Sequence, residues 1–145
     1  MTFDIEVKGE QLRGELVLEN KSGDPNWQIL GNDTMKGTLA YNVKGPKFEY
    51  SFTGHVANDG NYTLIYVGPS GDYPCNGSKV IGSGSSSSGV ITLSGSPDLG
   101  VDITDGKIWL VPSSTYNTST NTMIGWDHAN NLYETALISY DDTDL

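Results

Sequence analysis

The sequence predicts an all-β fold, an antiparallel β-sandwich of about nine short strands. Three observations carry that expectation. Short β-branched and aromatic runs recur along the chain, among them Gly89–Gly95 (GVITLSG), Lys107–Pro112 (KIWLVP) and Leu132–Tyr140 (LYETALISY). Gly, Pro, Asp, Asn and Ser cut these runs apart, and nothing between them looks like a long helix. Several runs alternate apolar and polar residues, the period of a half-buried strand.

Each element follows from local pattern. Phe3, Ile5 and Val7 alternate with Asp4, Glu6 and Lys8, a strand turned back at Gly9-Glu10. Gly14–Leu18 reads as a second strand with Leu16 and Leu18 on one face. Gly23, Asp24 and Pro25 mark Asn20–Asn26 as a loop, with a short strand at Trp27–Leu30 after it. Met35, Gly37, Leu39, Tyr41 and Val43 face one way, and Phe48, Tyr50 and Phe52 repeat the alternation beyond Gly45-Pro46. These two runs form a hairpin with one wet face. Asn58-Asp59-Gly60 is a turn. Asn61–Val67 is apolar on both faces and reads as a central strand. Gly68–Gly77 holds Pro69, Gly71, Pro74 and Gly77 and reads as a surface loop carrying Tyr73 and Cys75. Lys79–Gly82 is an edge strand. Strands follow at Val90–Ser94, Lys107–Val111 and Leu132–Tyr140, with a polar loop over Pro112–Thr122 and one helical turn within Met123–Asn131.

The low-complexity run Gly82–Gly89 has flexible-linker composition. It reads as a loop at a hairpin tip and not as a domain boundary, because the roughly 56 residues after it hold too few strands for a separate core. Residues 1–145 therefore form a single domain, long enough to hide roughly two-thirds of the unfolded surface. Immunoglobulin-like and jelly-roll-like sandwiches both fit the strand spacing, and a closed barrel is the alternative, since both architectures alternate in and out.

Composition narrows the partners. Eighteen acidic and eight basic residues give a net charge of −10. A polyanion repels such a chain, and its lysines are scattered singly, so nucleic acid and an anionic membrane are excluded as expected partners. No run reaches the about 18 apolar residues of a membrane span. The opening Met1-Thr2-Phe3-Asp4-Ile5 lacks the basic and apolar regions of a signal peptide. Abundant Gly, Ser, Thr and Asn favour a mature or excised extracellular domain over a cytoplasmic protein. N-glycosylation triplets begin at Asn20, Asn32, Asn61, Asn76 and Asn117, in keeping with secretion. The single cysteine, Cys75, can form no disulfide within the chain and reads as a small buried apolar side chain.

Asn61–Tyr66 (NYTLIY), Gly106–Ser113 (GKIWLVPS), Gly125-Trp126 and Leu137–Asp142 (LISYDD) occur in this order. Together they resemble a little-characterised β-domain of secreted and surface proteins of archaea, methanogens especially, and some bacteria. The resemblance spans roughly residues 35–144. It implies a fold and an extracellular or cell-surface location, and it brings no activity and no catalytic residues.

The residues themselves offer few sites. Trp109 lies in an apolar strand and reads as core, whereas Trp126 sits in a loop-like stretch beside Asp127 and His128. Tyr73, Tyr116 and Trp126 form a candidate sugar platform, since an aromatic face meets the C–H face of a pyranose. Hard cations gather loop carboxylates, which makes Asp98, Asp102 and Asp105, and Asp141, Asp142 and Asp144, candidate calcium ligands. Calcium is the one cofactor these residues suggest. Asp127 and His128 are adjacent and point different ways, so they form no dyad by adjacency. No Ser stands in a nucleophile-elbow context. Glu134 is a strand carboxylate for which no defined partner across a cleft can be named. The expectation is thus a non-catalytic extracellular module, structural or adhesive, whose partners are other surface proteins or glycans. A carbohydrate-binding module is one alternative. A filament subunit that exchanges the Phe3–Val7 strand is the other.

Overall fold

A computed structural model describes residues 13–23 and 25–145. The expected strand Phe3–Val7 and its turn lie outside the described residues, and so does the strand-exchange expectation that rests on them. The fold is all-β, as expected. Thirteen strands run through the described residues: β1 (Arg13–Glu19), β2 (Lys36–Asn42), β3 (Lys44–Gly45), β4 (Tyr50–His55), β5 (Asn61–Tyr66), β6 (Lys79–Ser85), β7 (Val90–Gly95), β8 (Ile103–Gly106), β9 (Ile108–Pro112), β10 (Tyr116–Asn117), β11 (Thr122–Met123), β12 (Leu132–Glu134) and β13 (Ile138–Asp142). Short 3-10 turns cover Ser113–Thr115 and His128–Asn130, the second where one helical turn is expected.

Eight strands form one antiparallel sheet in the order β6-β5-β9-β12-β1-β2-β4-β7. Its two edge strands are consecutive in the chain. They meet at the turn Ser86–Gly89, where Ser87 and Val90 exchange backbone hydrogen bonds of 2.9 and 3.0 Å. Asp59 clamps this turn: its carboxylate accepts from the Gly89 and Ser88 amides (2.9 and 3.0 Å) and from Ser86 Oγ (2.9 Å). Those donors, the Gly89 amide first, hold the carboxyl below its ordinary range. The sheet thus curls into a nearly closed, barrel-like form. A small sheet, β3-β13-β8, and the hairpin β10-β11 complete the fold.

The β2-β4 hairpin has the expected phase, with Leu39 opposite Phe52 and Tyr41 opposite Tyr50. Between its strands, Lys44-Gly45 leave the sheet and pair in parallel with Asp141-Asp142 of β13.

Three elements differ from expectation. Gly82–Ser85, expected within a loop, form the second half of β6 and pair with Asn61–Leu64 of β5. The glycines there are a packing requirement: a Cβ on Gly82 would collide with the Tyr50 hydroxyl, and one on Gly84 would stand 2.8 Å from Leu93 Cδ2. Only Ser86–Gly89 turn. Trp27–Leu30 is no strand; the Trp27 amide closes a turn on Gly23 O at 2.8 Å, Trp27 has φ +48°, and one isolated bridge joins Lys21 to Ile29. The expected strand Leu132–Tyr140 breaks at Thr135–Leu137, which sends β12 to the large sheet and β13 to the small one. At the break, Thr135 bonds Val17 O through both its amide (3.0 Å) and its hydroxyl (2.7 Å).

The apolar side chains form two clusters on opposite faces of the same ribbon. Tyr62, Leu64 and Tyr66 of β5, Ile108 and Leu110 of β9 and Leu132 of β12 join the larger cluster, with Leu16, Leu39, Phe52 and Ile91 from across the curl. The alternate residues, Ile65, Trp109, Val111 and Tyr133, join a second cluster with Val67, Cys75, Tyr116 and Met123. This two-sided burial accounts for the near-continuous apolar runs of β5 and β9.

Within the larger cluster the Phe52 ring lies over a cross-strand pair of glycines. A Cβ on Gly37 would sit 2.6 Å from Phe52 Cζ and 2.9 Å from Gly54 Cα. Gly37→Ala is expected to cost about 2 kcal/mol, as overpacked cores do. Adding Phe52→Leu, which shortens the opposing side chain, should restore part of the loss. Urea unfolding of both variants checks this, and equal stability of wild type and Gly37→Ala would disprove it.

Candidate functional site

The second cluster opens to the surface as an aromatic cleft of about 720 Å³. Strands supply its floor and loops its walls. Trp109 of β9 and Tyr133 of β12, paired across neighbouring strands, are buried beneath it. Trp27, Tyr73 and Trp126 come from three separate loops and expose 38, 49 and 42% of their surface, unusual for such large apolar groups. The rings meet mostly edge to face. Trp109 and Trp126 lie 5.5 Å apart at 69°, Tyr73 and Trp126 5.9 Å apart at 87°, and Trp27 and Tyr133 5.5 Å apart at 76°. Edge-to-face packing is the arrangement that aromatic quadrupoles favour, so the walls brace one another.

Polar groups fix the floor. Glu134 Oε1 accepts from the Trp109 indole N–H at 2.9 Å, and Oε2 pairs with Lys21 Nζ at 3.3 Å. Both carboxylate oxygens are thereby engaged in a nearly buried position. Behind the floor, Asn131 Nδ2 donates to the Tyr133 oxygen at 3.2 Å. The same Tyr133 oxygen lies 2.6 Å from His128 Nδ1, so it joins the imidazole to the Asn131 amide. His128 stacks on Trp126 (6.3 Å, 22°) and meets Trp27 edge-on at 5.5 Å, so it backs both exposed tryptophans. Burial pushes the Tyr133 phenol well above its ordinary range, and the nearby Glu134 and Asp127 carboxylates add to the rise.

The loop bearing Tyr73 is anchored by Cys75. This residue has φ +68°, follows the cis Tyr73-Pro74 bond and is buried, as expected. The Cys75 amide donates to Asp72 O at 2.7 Å, and Lys107 Nζ donates to Gly71 O at 3.1 Å. Desolvation pushes the Cys75 thiol up to about 11, with the Asp72 carboxylate contributing.

Of the expected sugar platform, Tyr73 and Trp126 come together. Tyr116 does not join them: it is buried, its hydroxyl 2.7 Å from Ser78 Oγ, and it packs within the second cluster beneath the surface. Sequence reasoning missed Trp27, Lys21, Tyr133 and Lys107 as members of the cleft. Asp127 and His128 form no dyad; the Asp127 carboxylate accepts instead from Asn130 Nδ2 at 2.9 Å.

The candidate calcium ligands divide. The β8-β13 pairing brings Asp102 to Asp142, whose amide donates to Asp102 Oδ1 at 2.8 Å. Desolvation first, and then the Asp142, Asp98, Asp141 and Asp102 carboxylates, push the Tyr140 phenol up to about 12. Asp105 stands apart at φ +48°, its amide bonded to Ser139 Oγ. Asp142 Oδ1 accepts from the Asp144 amide, and Asp141 lies 4.0 Å from Lys44. Among the described residues no three carboxylate, imidazole or thiol groups converge as a metal set.

Four of the five glycosylation candidates, Asn32, Asn61, Asn76 and Asn117, are exposed or half-buried. Asn20 is buried, and its Nδ2 donates to the carbonyls of Asn131 (3.0 Å) and His128 (3.4 Å). Burial rules it out as an acceptor in the folded chain.

No family model, curated protein or solved structure matches the chain. The fold and the cleft together define an all-β protein with a surface site built from aromatic rings.

Two outcomes test this architecture. Glu134→Ala leaves the Trp109 N–H and Lys21 without partners, and a loss of about 3 kcal/mol in urea unfolding is expected; a loss below ~1 kcal/mol would show that the carboxylate does not hold the floor. The Cys75 thiol keeps its proton longer in the folded than in the unfolded chain. Its contribution is therefore complete below the unfolded thiol's range near 9 and is lost as pH rises toward about 11. Cys75→Ala should flatten that part of the stability–pH curve, and a slope unchanged by the substitution would contradict the assignment.

Proposed function

We propose that the aromatic cleft binds a saccharide, and that the domain is a non-catalytic adhesive module of the cell surface or extracellular space. The observation that carries this reading is the exposure of Trp27, Tyr73 and Trp126 around one concavity with polar groups at its base. Sugar rings present apolar C–H faces and hydroxyl edges, and a site for them needs aromatic faces beside hydrogen-bonding groups. The cleft volume suits a ligand of one or a few sugar units. Binding is favoured over turnover by the state of Glu134, whose two oxygens are already committed to Trp109 and Lys21. An acid or base in glycoside cleavage must be free to exchange a proton with the substrate.

The extracellular location rests on the composition, on the four acceptor asparagines that are exposed or half-buried and on the resemblance to archaeal surface domains. Affinity electrophoresis through polysaccharide gels tests the binding. Wild type should be retarded by at least one polysaccharide, and Trp126→Ala, on an exposed loop, should lose that retardation while its circular dichroism shows the same folded β-sheet. Equal mobility of wild type in every gel, or retention undiminished in Trp126→Ala, would refute the reading.

A further inference from the structure

Beyond a generic sugar site, and resting on that reading, we propose that the cleft selects an acidic saccharide, one carrying a carboxylate or sulfate, and that Lys107 recognises the anionic group. The chain has eight basic residues against eighteen acidic ones, yet two of the eight, Lys21 and Lys107, line this one cleft. Their states differ. Lys21 is consumed by Glu134, which leaves that pair neutral. The half-buried Lys107 ammonium makes one hydrogen bond, to the neutral Gly71 carbonyl at 3.1 Å, and no carboxylate of the described residues lies within 4 Å of it. An ammonium has three donors, so two remain for a ligand.

The bond to Gly71 also holds the side chain in place, which lowers the entropy lost on binding. Gly71 precedes Tyr73 in the same loop, so a pyranose stacked on the Tyr73 ring, with the perpendicular Trp126 ring beside it, would present its substituents near this cation. Asp72 is the other carboxylate of the lining. It is exposed on the rim and opposes an anion there, so it sharpens selection against polyanions that do not also stack on the rings.

The net charge of −10 makes the inference testable. General electrostatics repel any polyanion from this chain, so tighter retention of an acidic polymer than of a neutral one that stacks on the same rings points to a local cation. The experiment measures retention of wild type, Lys107→Gln, Asp72→Asn and Trp126→Ala on polygalacturonate, dextran sulfate and a neutral glucan, at low and high ionic strength. Wild type should bind an acidic polymer more tightly than the neutral one. Lys107→Gln should lower the ratio of acidic to neutral binding about tenfold, as loss of a charge-assisted hydrogen bond does; the tie to Gly71 that it also removes acts on both polymers alike and leaves that ratio unmoved. Asp72→Asn should raise it. Preference for polygalacturonate identifies a carboxylate, preference for dextran sulfate a sulfate ester, and equal retention an anion site that does not distinguish them. Binding of the neutral glucan alone, or a ratio unchanged in Lys107→Gln, overturns the proposal while leaving the saccharide reading intact. Binding of none of the three by wild type overturns both.

Discussion

Everything in this molecule depends on one ribbon, β5-β9-β12, being covered on both faces. On its inner face Leu64, Leu110 and Leu132 meet the side chains of the curled sheet; on its outer face Ile65, Trp109 and Tyr133 meet the loops. A strand buried on both sides loses the hydration of all its side chains, so loops over the outer face must bring apolar matter of their own. They do so with Trp27, Tyr73 and Trp126. The cleft is the place where that covering is incomplete, and its floor is continuous with the protein core.

This continuity ties binding geometry to stability. Glu134 joins β12 to the Trp109 side chain on β9 and to Lys21 in the loop after β1, so three separate stretches of chain converge on one carboxylate. The cleft floor is therefore set by strands in the interior of the large sheet. The walls depend on loops, but those loops are tied down: one by Cys75 and Lys107, another by the His128–Tyr133 contact. A site whose parts are already held pays little ordering entropy when a ligand arrives.

The regular part of the fold was legible in the sequence because its signal is local. Leu39, Tyr41, Tyr50 and Phe52 announce their inward face by alternation, and Asn61–Val67 announces its double burial by losing it. The misreadings have local causes too. Gly82 and Gly84 look like linker residues, but their small size is demanded by Tyr50 and Leu93, which lie far away in the chain. Leu132–Tyr140 has one continuous β-like composition, and the switch between sheets at Thr135 depends on Val17, which no window around the break contains. Tyr73 and Trp126 were readable as loop aromatics flanked by turn residues. Trp27 was hidden by a strand-like stretch, and Tyr116 was a loop tyrosine by pattern that the β10-β11 hairpin turns inward. The roles of Lys21 and Lys107 exist only once the topology has placed them beside Glu134 and Gly71.

The burial of Asn20 bears on how the protein is made. A host that attaches glycans to Asn-X-Ser triplets during translation would reach Asn20-Lys21-Ser22 before the strands close. The sugar would occupy the amide nitrogen that otherwise holds the carbonyls of His128 and Asn131. Such a chain would lose the seat of the 128–130 turn, and with it the imidazole behind both exposed tryptophans. Material from a glycosylating cell line and material from a host without that machinery would then be two different folding problems written in one sequence.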